Sequence, residues 1–368
     1  MKIIIGADVV PTASNLDAFI NGDSIGIVGE KATEWLDSAD YRIYNLETPL
    51  CDNAAPIDKN GPHLMAPTAA IKGYKALKAD LLSMANNHIL DQGEQGVIST
   101  FKAVDEAGIA RLGCGCAEDA AKPYIIERDG EKIGIYSCAE HEFSIANKDR
   151  MGANPFEPLE CPDRVAALKE KCDYVIVLYH GGREFYRYPL PQLQKNCRKL
   201  VEKGADLVIC QHTHCVGCAE DYLNGKIIYG QGNFVFDRKS DEYWNTSLLV
   251  KVDTKSKAVE YLPLSKANGT LKAAEGDEAA AIIAGFESRS DEIKDEDFVA
   301  ARLKKEAKAN DLYLARSLAG NTLFQKVLSK VAPKLLKKML LKKAKRLKAL
   351  NLIACESHRE VLISALED

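Results

Sequence analysis

Six short runs of apolar, largely β-branched residues set the main constraint on what this chain can become. Ile3–Ile5, Leu81–Met84, Lys132–Tyr136, Tyr174–Leu178, Leu207–Cys210 and Lys226–Tyr229 have the length and composition of buried strands. Between them, Thr68–Leu77, Gly96–Ala107 and Leu190–Glu202 carry apolar residues at helical spacing. Strands alternating with helices predict a layered α/β domain over residues 1–265, with any site just beyond the strand ends. Past about residue 265 alanine, lysine and glutamate dominate, and a helical extension is expected over 266–368.

The net charge of -4 shows no basic surplus, so no nucleic-acid partner is expected. The charge is uneven, however. Val331–Leu350 holds seven lysines and one arginine without an acidic residue, and Leu336, Met339, Leu340 and Leu347 fall near one face. One reading is a basic amphipathic helix resting on an anionic membrane surface; the other is a helix that packs its leucines on protein and leaves its lysines in water.

No segment reaches the roughly 18 uncharged apolar residues of a membrane span, and Met1–Gly6 runs straight into a strand rather than a signal peptide. Eleven cysteines without framework spacing read as free thiols, Cys215-Val216-Gly217-Cys218 and Cys114-Gly115-Cys116 included. A cytoplasmic location is the expectation.

Five strand ends carry chemistry-bearing side chains. Asp8 follows Ile3–Ala7, Glu47 lies in Tyr44–Pro49, and Asn87 with His88 and Asp91 lies in Ser83–Gly93. His180 ends Val177–Tyr179 and precedes two glycines, and His212 and His214 follow Ala205–Ile209. In extended chain, residues two apart point the same way, so both imidazoles of that pair can reach one site. Taken singly each has an ordinary explanation: Asp8 caps a helix, Glu47 pairs with an arginine, His180 is a satisfied core histidine. Together, two carboxylates, an amide and three imidazoles suit two divalent ions, with manganese, iron and zinc equal by ligand type.

The ordered pieces Gly6-Ala7-Asp8, Asn45–Pro49, Ala85–Gly93, His180–Phe185, Gln211–His214 and Gly232–Asp237 resemble the CapA family of poly-γ-glutamate capsule synthesis proteins, within the calcineurin-like metallophosphoesterase superfamily. The resemblance covers about residues 1–240 and implies a four-layer β-sandwich flanked by helices. It further implies that Asp8 and His214 hold one metal and Asn87, His180 and His212 the other, with Glu47 between them. His88 would be the general acid and Asp91 its orienting partner. Asn45, Arg183, Glu184 and Asn233 match motif positions expected to support the ligands or touch substrate. Val10 stands where the wider superfamily has a histidine, and Glu47 where it has an aspartate, so the first metal has fewer or longer arms. The implied function is hydrolysis of a phosphate ester. Amide chemistry on poly-γ-glutamate or another capsule polymer, and a non-catalytic scaffold that kept the fold, are the alternatives. The substrate is accordingly a small molecule or a polymer.

Overall fold

The computed structural model describes residues 1–237, 241, 243–267 and 270–366. Its first half supplies strands β1 (Lys2–Val10), β2 (Tyr41–Leu46), β3 (Leu81–Ser83), β4 (Ala110–Leu112), β5 (Cys114–Gly115), β6 (Tyr124–Arg128), β7 (Glu131–Ala139) and β8 (Gly152–Ala153). After these come β9 (Tyr174–His180), β10 (Leu207–Gln211), β11 (Ala219–Tyr222), β12 (Gly225–Ile228), β13 (Phe234–Phe236), β14 (Thr246–Asp253), β15 (Val259–Ala267) and β16 (Thr270–Ala273).

Two large sheets take in all of them but β5 and β8, which pair with each other. One runs β16-β15-β14-β1-β2-β3-β4, with β13 also pairing β1; the other runs β11-β12-β10-β9-β7-β6. In the first sheet β1 to β4 are parallel, and in the second β7, β9, β10 and β12 are parallel. A parallel strand needs a long crossover to reach its neighbour, which accounts for the helices between the apolar runs.

Side-chain parity then fixes the layers. Successive residues of a strand face opposite sides, so Ile3 and Ile5 of β1 point one way and Ile4 the other. Ile3, Ile5, Ile43 and Leu81 of the first sheet meet Ile133, Ile135, Ile176, Leu178, Leu207 and Ile209 of the second in one buried layer. On the far face of the first sheet, Ile4, Tyr44, Leu46 and Leu82 pack under helical residues such as Phe19, Leu36, Tyr74 and Val97. Beyond the second sheet, Val175, Val177 and Val208 pack under Val165, Leu168, Leu193 and Leu200. Helix, sheet, sheet, helix is the four-layer arrangement expected from the resemblance. The expected helical stripes are present too: Leu193, Cys197, Leu200 and Val201 are the buried face of helix Pro191–Glu202.

The chain divides into two compact units, Met1–Val299 and Ala300–Asp368. Strand β16 and helix Gly276–Glu292 lie beyond residue 265, so the region past that point is not helical throughout. The second unit is helical over its described residues. The basic stretch 331–350 does not form one helix: it is divided among Leu323–Val331, Pro333–Leu340 and Lys343–Ala354. Pro333 explains the first break, since proline has no N–H to donate and sits at the first turn of the helix it opens. No helix among the described residues is long and apolar enough to cross a membrane.

Candidate metal centre

Parallel strands present their carboxyl ends at the same rim, where both sheets deliver polar side chains to one place. Asp8 lies near the end of β1, where the register against β2 shifts between Gly6 and Val9 and re-aims the chain. Glu47 follows β2, Asn87 follows β3, His180 is the last residue of β9, and His212 and His214 follow β10. All six are buried, none more than 7% exposed.

Their polar atoms converge. His180 Nε2 lies 2.9 Å from Asn87 Oδ1, 3.2 Å from His212 Nδ1 and 3.3 Å from Glu47 Oε1. His214 Nδ1 is 3.6 Å from Asp8 Oδ2 and 2.9 Å from Asn233 Oδ1. Asn45 donates from Nδ2 to Asp8 Oδ1 at 2.6 Å and lies 3.2 Å from His180 Nδ1; Asn86 in turn donates to Asn45 Oδ1 at 3.0 Å. Ligand atoms of Glu47, His180 and His212 lie within 4.8 Å of one another, as do those of Asp8, Glu47 and His214. The two triads share Glu47.

Backbone geometry serves this convergence. His212 and His214 both adopt left-handed conformations, with φ of 87° and 55°, which cost a non-glycine residue about 1–3 kcal/mol and persist only where the surroundings enforce them. Gly182 turns with φ +117°, and a Cβ there would meet Thr213 Cγ2 at 2.9 Å. Its missing side chain therefore makes room for the loop carrying the two imidazoles. Trp244 stacks on His214 at a centroid distance of 4.5 Å.

Burial dominates the electrostatics of the cluster. Burial, reinforced by Glu47, pushes Asp8 up to about 8, and burial holds Glu47 well above the usual carboxylate range. Burial also drives His180 down to about 4 and His214 down to about 3, and takes His212 well below the ordinary imidazole range. Neither carboxylate oxygen of Glu47 has a hydrogen-bond partner among the described residues. An orphaned buried carboxylate beside neutral imidazoles is unfavourable unless positive charge is supplied, and divalent cations favour the anionic carboxylate and the neutral ring together. The donor set therefore fits metal.

A second group lies alongside. His88 Nδ1 is 2.6 Å from Asp91 Oδ2, as the expected orienting pair requires. Asp91 also accepts from the backbone N–H of Leu64 at 2.6 Å and binds Lys59 Nζ, which sits 3.3 Å from His88 Nδ1. Thus one carboxylate holds both the histidine and the loop that precedes Ala66. At the outer edge Glu142 accepts from Asn87 Nδ2 at 3.1 Å, fixing which way the amide points, and with Glu140 it approaches His212 Nε2. Of the remaining expected residues, Asn233 touches His214 and Asn45 touches Asp8 and His180, whereas Arg183 is half-buried and Glu184 exposed on the turn after β9. The Glu184 charge still raises both Glu47 and His180. Lys59, Asn86, Glu142 and Trp244 were not expected from the sequence. The cysteine motif is separate from this cluster: Cys215 and Cys218 are fully buried, and burial pushes the Cys215 thiol up to about 11.

The profile of the bacterial capsule synthesis protein PGA_cap family matches residues 6–238, from the strand carrying Asp8 past Asn233. The chain belongs to this family. Among curated proteins it is 28% identical over 230 residues to the capsule biosynthesis protein CapA of Bacillus anthracis, covering 60% of this chain and 56% of that one. It is also 28% identical over 207 residues to the PGA biosynthesis protein CapA of Bacillus subtilis, covering 55% of this chain and 54% of that one. The PGA_cap chain therefore spans about half the length of these curated relatives. A probable polyglutamine synthesis accessory protein of Mycobacterium tuberculosis is 26% identical over 230 residues, covering 59% of each. Solved structures similar to it include a hypothetical protein from Thermus thermophilus at TM-score 0.48 and 14% identity, covering 73% of this chain and all of that one. A phosphatase from Mycoplasma pneumoniae gives TM-score 0.42 at 16% identity, covering 72% of this chain and 93% of that one.

Proposed function

We propose that this PGA_cap protein is a metal-dependent hydrolase acting on a phosphate ester through a site for two divalent cations. The observation that carries the reading is Glu47, completely buried, shared between two triads of potential ligands, and with neither oxygen hydrogen-bonded among the described residues. Asp8, Glu47 and His214 would hold one cation, and Glu47, Asn87, His180 and His212 the other. When bound, such cations supply the positive charge that polarises a phosphoryl oxygen and makes water a competent nucleophile near neutral pH.

The protein's own groups do the rest. Asn45 and Asn233 hold Asp8, His180 and His214 in place through the contacts above. Asp91 fixes the His88 ring by its Nδ1, which leaves Nε2 as the atom that would hand a proton to the departing oxygen. Lys59 keeps the Asp91 carboxylate in position through its other oxygen, Oδ1. Manganese, iron and zinc all suit this donor set.

Elemental analysis of freshly purified protein beside a His212→Ala variant, with turnover of p-nitrophenyl phosphate and bis-p-nitrophenyl phosphate, tests the reading. The expected result is about two metals per chain, falling in the variant together with turnover. A metal-free protein without turnover after manganese addition would point to a non-catalytic scaffold instead.

Family membership supports a second reading, in which the same site cleaves or processes the amide of poly-γ-glutamate. New amino termini released from that polymer by metal-loaded protein, with no phosphatase turnover, would favour it.

A further inference from the structure

The helices Leu323–Val331 and Pro333–Leu340 present a surface that the catalytic reading does not use. In the first, Leu323, Phe324, Val327 and Val331 are between 55% and 77% exposed, and none of its residues is buried. At 100° per residue these four positions fall within one 100° sector of the helix, with Lys326 and Lys330 along its border. Thr322 and Gln325 form a capping box that fixes where this helix starts. In the second helix Leu335 and Met339, one turn apart, are likewise exposed, while Leu336 turns inward. Leu347 and Leu350 continue the exposed apolar series in Lys343–Ala354.

Charge accompanies this apolar series throughout. From Asn321 to Cys355 there are nine lysines and one arginine and no acidic residue. Large apolar side chains standing in water mark a docking surface rather than a solvated face. Their interleaving with lysine selects the partner. A second copy of the same surface would bring like charges together, and a nucleic acid would leave the leucines, valines and phenylalanine without a use. An anionic lipid surface takes both: apolar side chains enter the headgroup and acyl boundary while the ammonium groups meet phosphate.

We infer that the segment from Leu323 to Leu350 is a peripheral membrane-docking surface for anionic phospholipid. It needs no metal and is independent of the reaction proposed above.

The test is co-sedimentation of the full chain with vesicles of equimolar phosphatidylglycerol and phosphatidylcholine, beside pure phosphatidylcholine. Binding to the mixed vesicles alone, weakened by salt, is the expected result. Phe324→Glu with Val327→Glu, and separately Lys326→Glu with Lys330→Glu, should each weaken binding roughly tenfold or more. Circular dichroism would show that both retain the wild-type helical content. The second pair leaves the apolar residues intact, so a folding defect in the first does not decide the outcome. Absence of binding to the anionic vesicles overturns the inference. So does undiminished, wild-type binding by both variants, self-association abolished by Phe324→Glu with Val327→Glu in place of vesicle binding, or RNA binding in its place.

Discussion

Asn87 Oδ1 lies 2.9 Å from His180 Nε2, joining a residue that follows the first sheet's β3 to the last residue of the second sheet's β9. Under the proposed reading this contact joins two side chains that would hold the same ion. Asn87→Ala should weaken metal binding by at least the roughly 10–100-fold usual for a lost supporting partner. The metal-free protein should unfold within a few degrees of wild type. Calorimetric titration with manganese checks the first part, and an unchanged affinity would remove Asn87 from the site.

Glu47 should be costly to the metal-free protein and necessary to the loaded one. Replacing the buried carboxylate by its neutral isostere removes the charge that burial penalises, so Glu47→Gln should raise the melting temperature of the chelator-treated protein. The same variant should lose the stabilisation that manganese gives the wild type. Thermal melts with and without chelator read both effects; a lower melting temperature in chelator would mean that Glu47 is structurally satisfied.

The pair His88 and Asp91 should separate proton transfer from metal binding. Asp91→Asn keeps the shape of the side chain but loses the charge that holds Lys59 and the histidine ring. Turnover should fall by roughly 10²–10⁴-fold while metal content stays at the wild-type level. Loss of metal along with turnover would place Asp91 among the groups that hold the ions. Lys59→Ala should reproduce a smaller part of the defect and make the loop before Ala66 more sensitive to protease.

Lys266 supplies a pH signature. Burial lowers its ammonium from the usual 10.5 to about 7, against weaker opposing effects of Asp237 and Asp8. Above pH 10.5 neither the folded nor the unfolded chain protonates this group. As pH falls, the unfolded chain takes up the proton first, so its contribution to stability declines until about pH 7 and then levels off. Lys266→Met should therefore stabilise the metal-free protein most near pH 7, and the gain should shrink towards pH 10. A difference independent of pH would show that the lysine stays charged in the fold.

Much of the candidate centre was legible because each of its residues directly follows an apolar run or lies within a few residues of its end. A strand buried on both faces has no use for Asp8, Glu47 or His180 unless the polar group stands where the sheet ends, and the structure puts all three at one rim. Lys59 and Leu64 carried no such signal: their loop has no period, and only the folded chain brings it onto Asp91. Glu142 was hidden for the same reason, in a polar stretch after β7. Strand β16 was missed because Thr270-Leu271-Lys272-Ala273 is short and lies in alanine- and lysine-rich surroundings; pairing with β15 decides its conformation. The basic run looked continuous by composition, and Pro333 was the residue that should have divided it.

The distance along the chain between the partners of this centre has its own consequence. Asp8 Oδ2 accepts from the backbone N–H of His212, 204 residues later, and Asn233 is later still. Contacts of such range form late, because a large loop must close before they return any stability. A ribosome-bound chain that has not yet released His212 and His214 holds Asp8 and Glu47 without those two imidazoles. Competence at the rim would thus serve as a certificate that the two sheets have met, and a chain stopped short of His214 could neither capture ions tightly nor act prematurely.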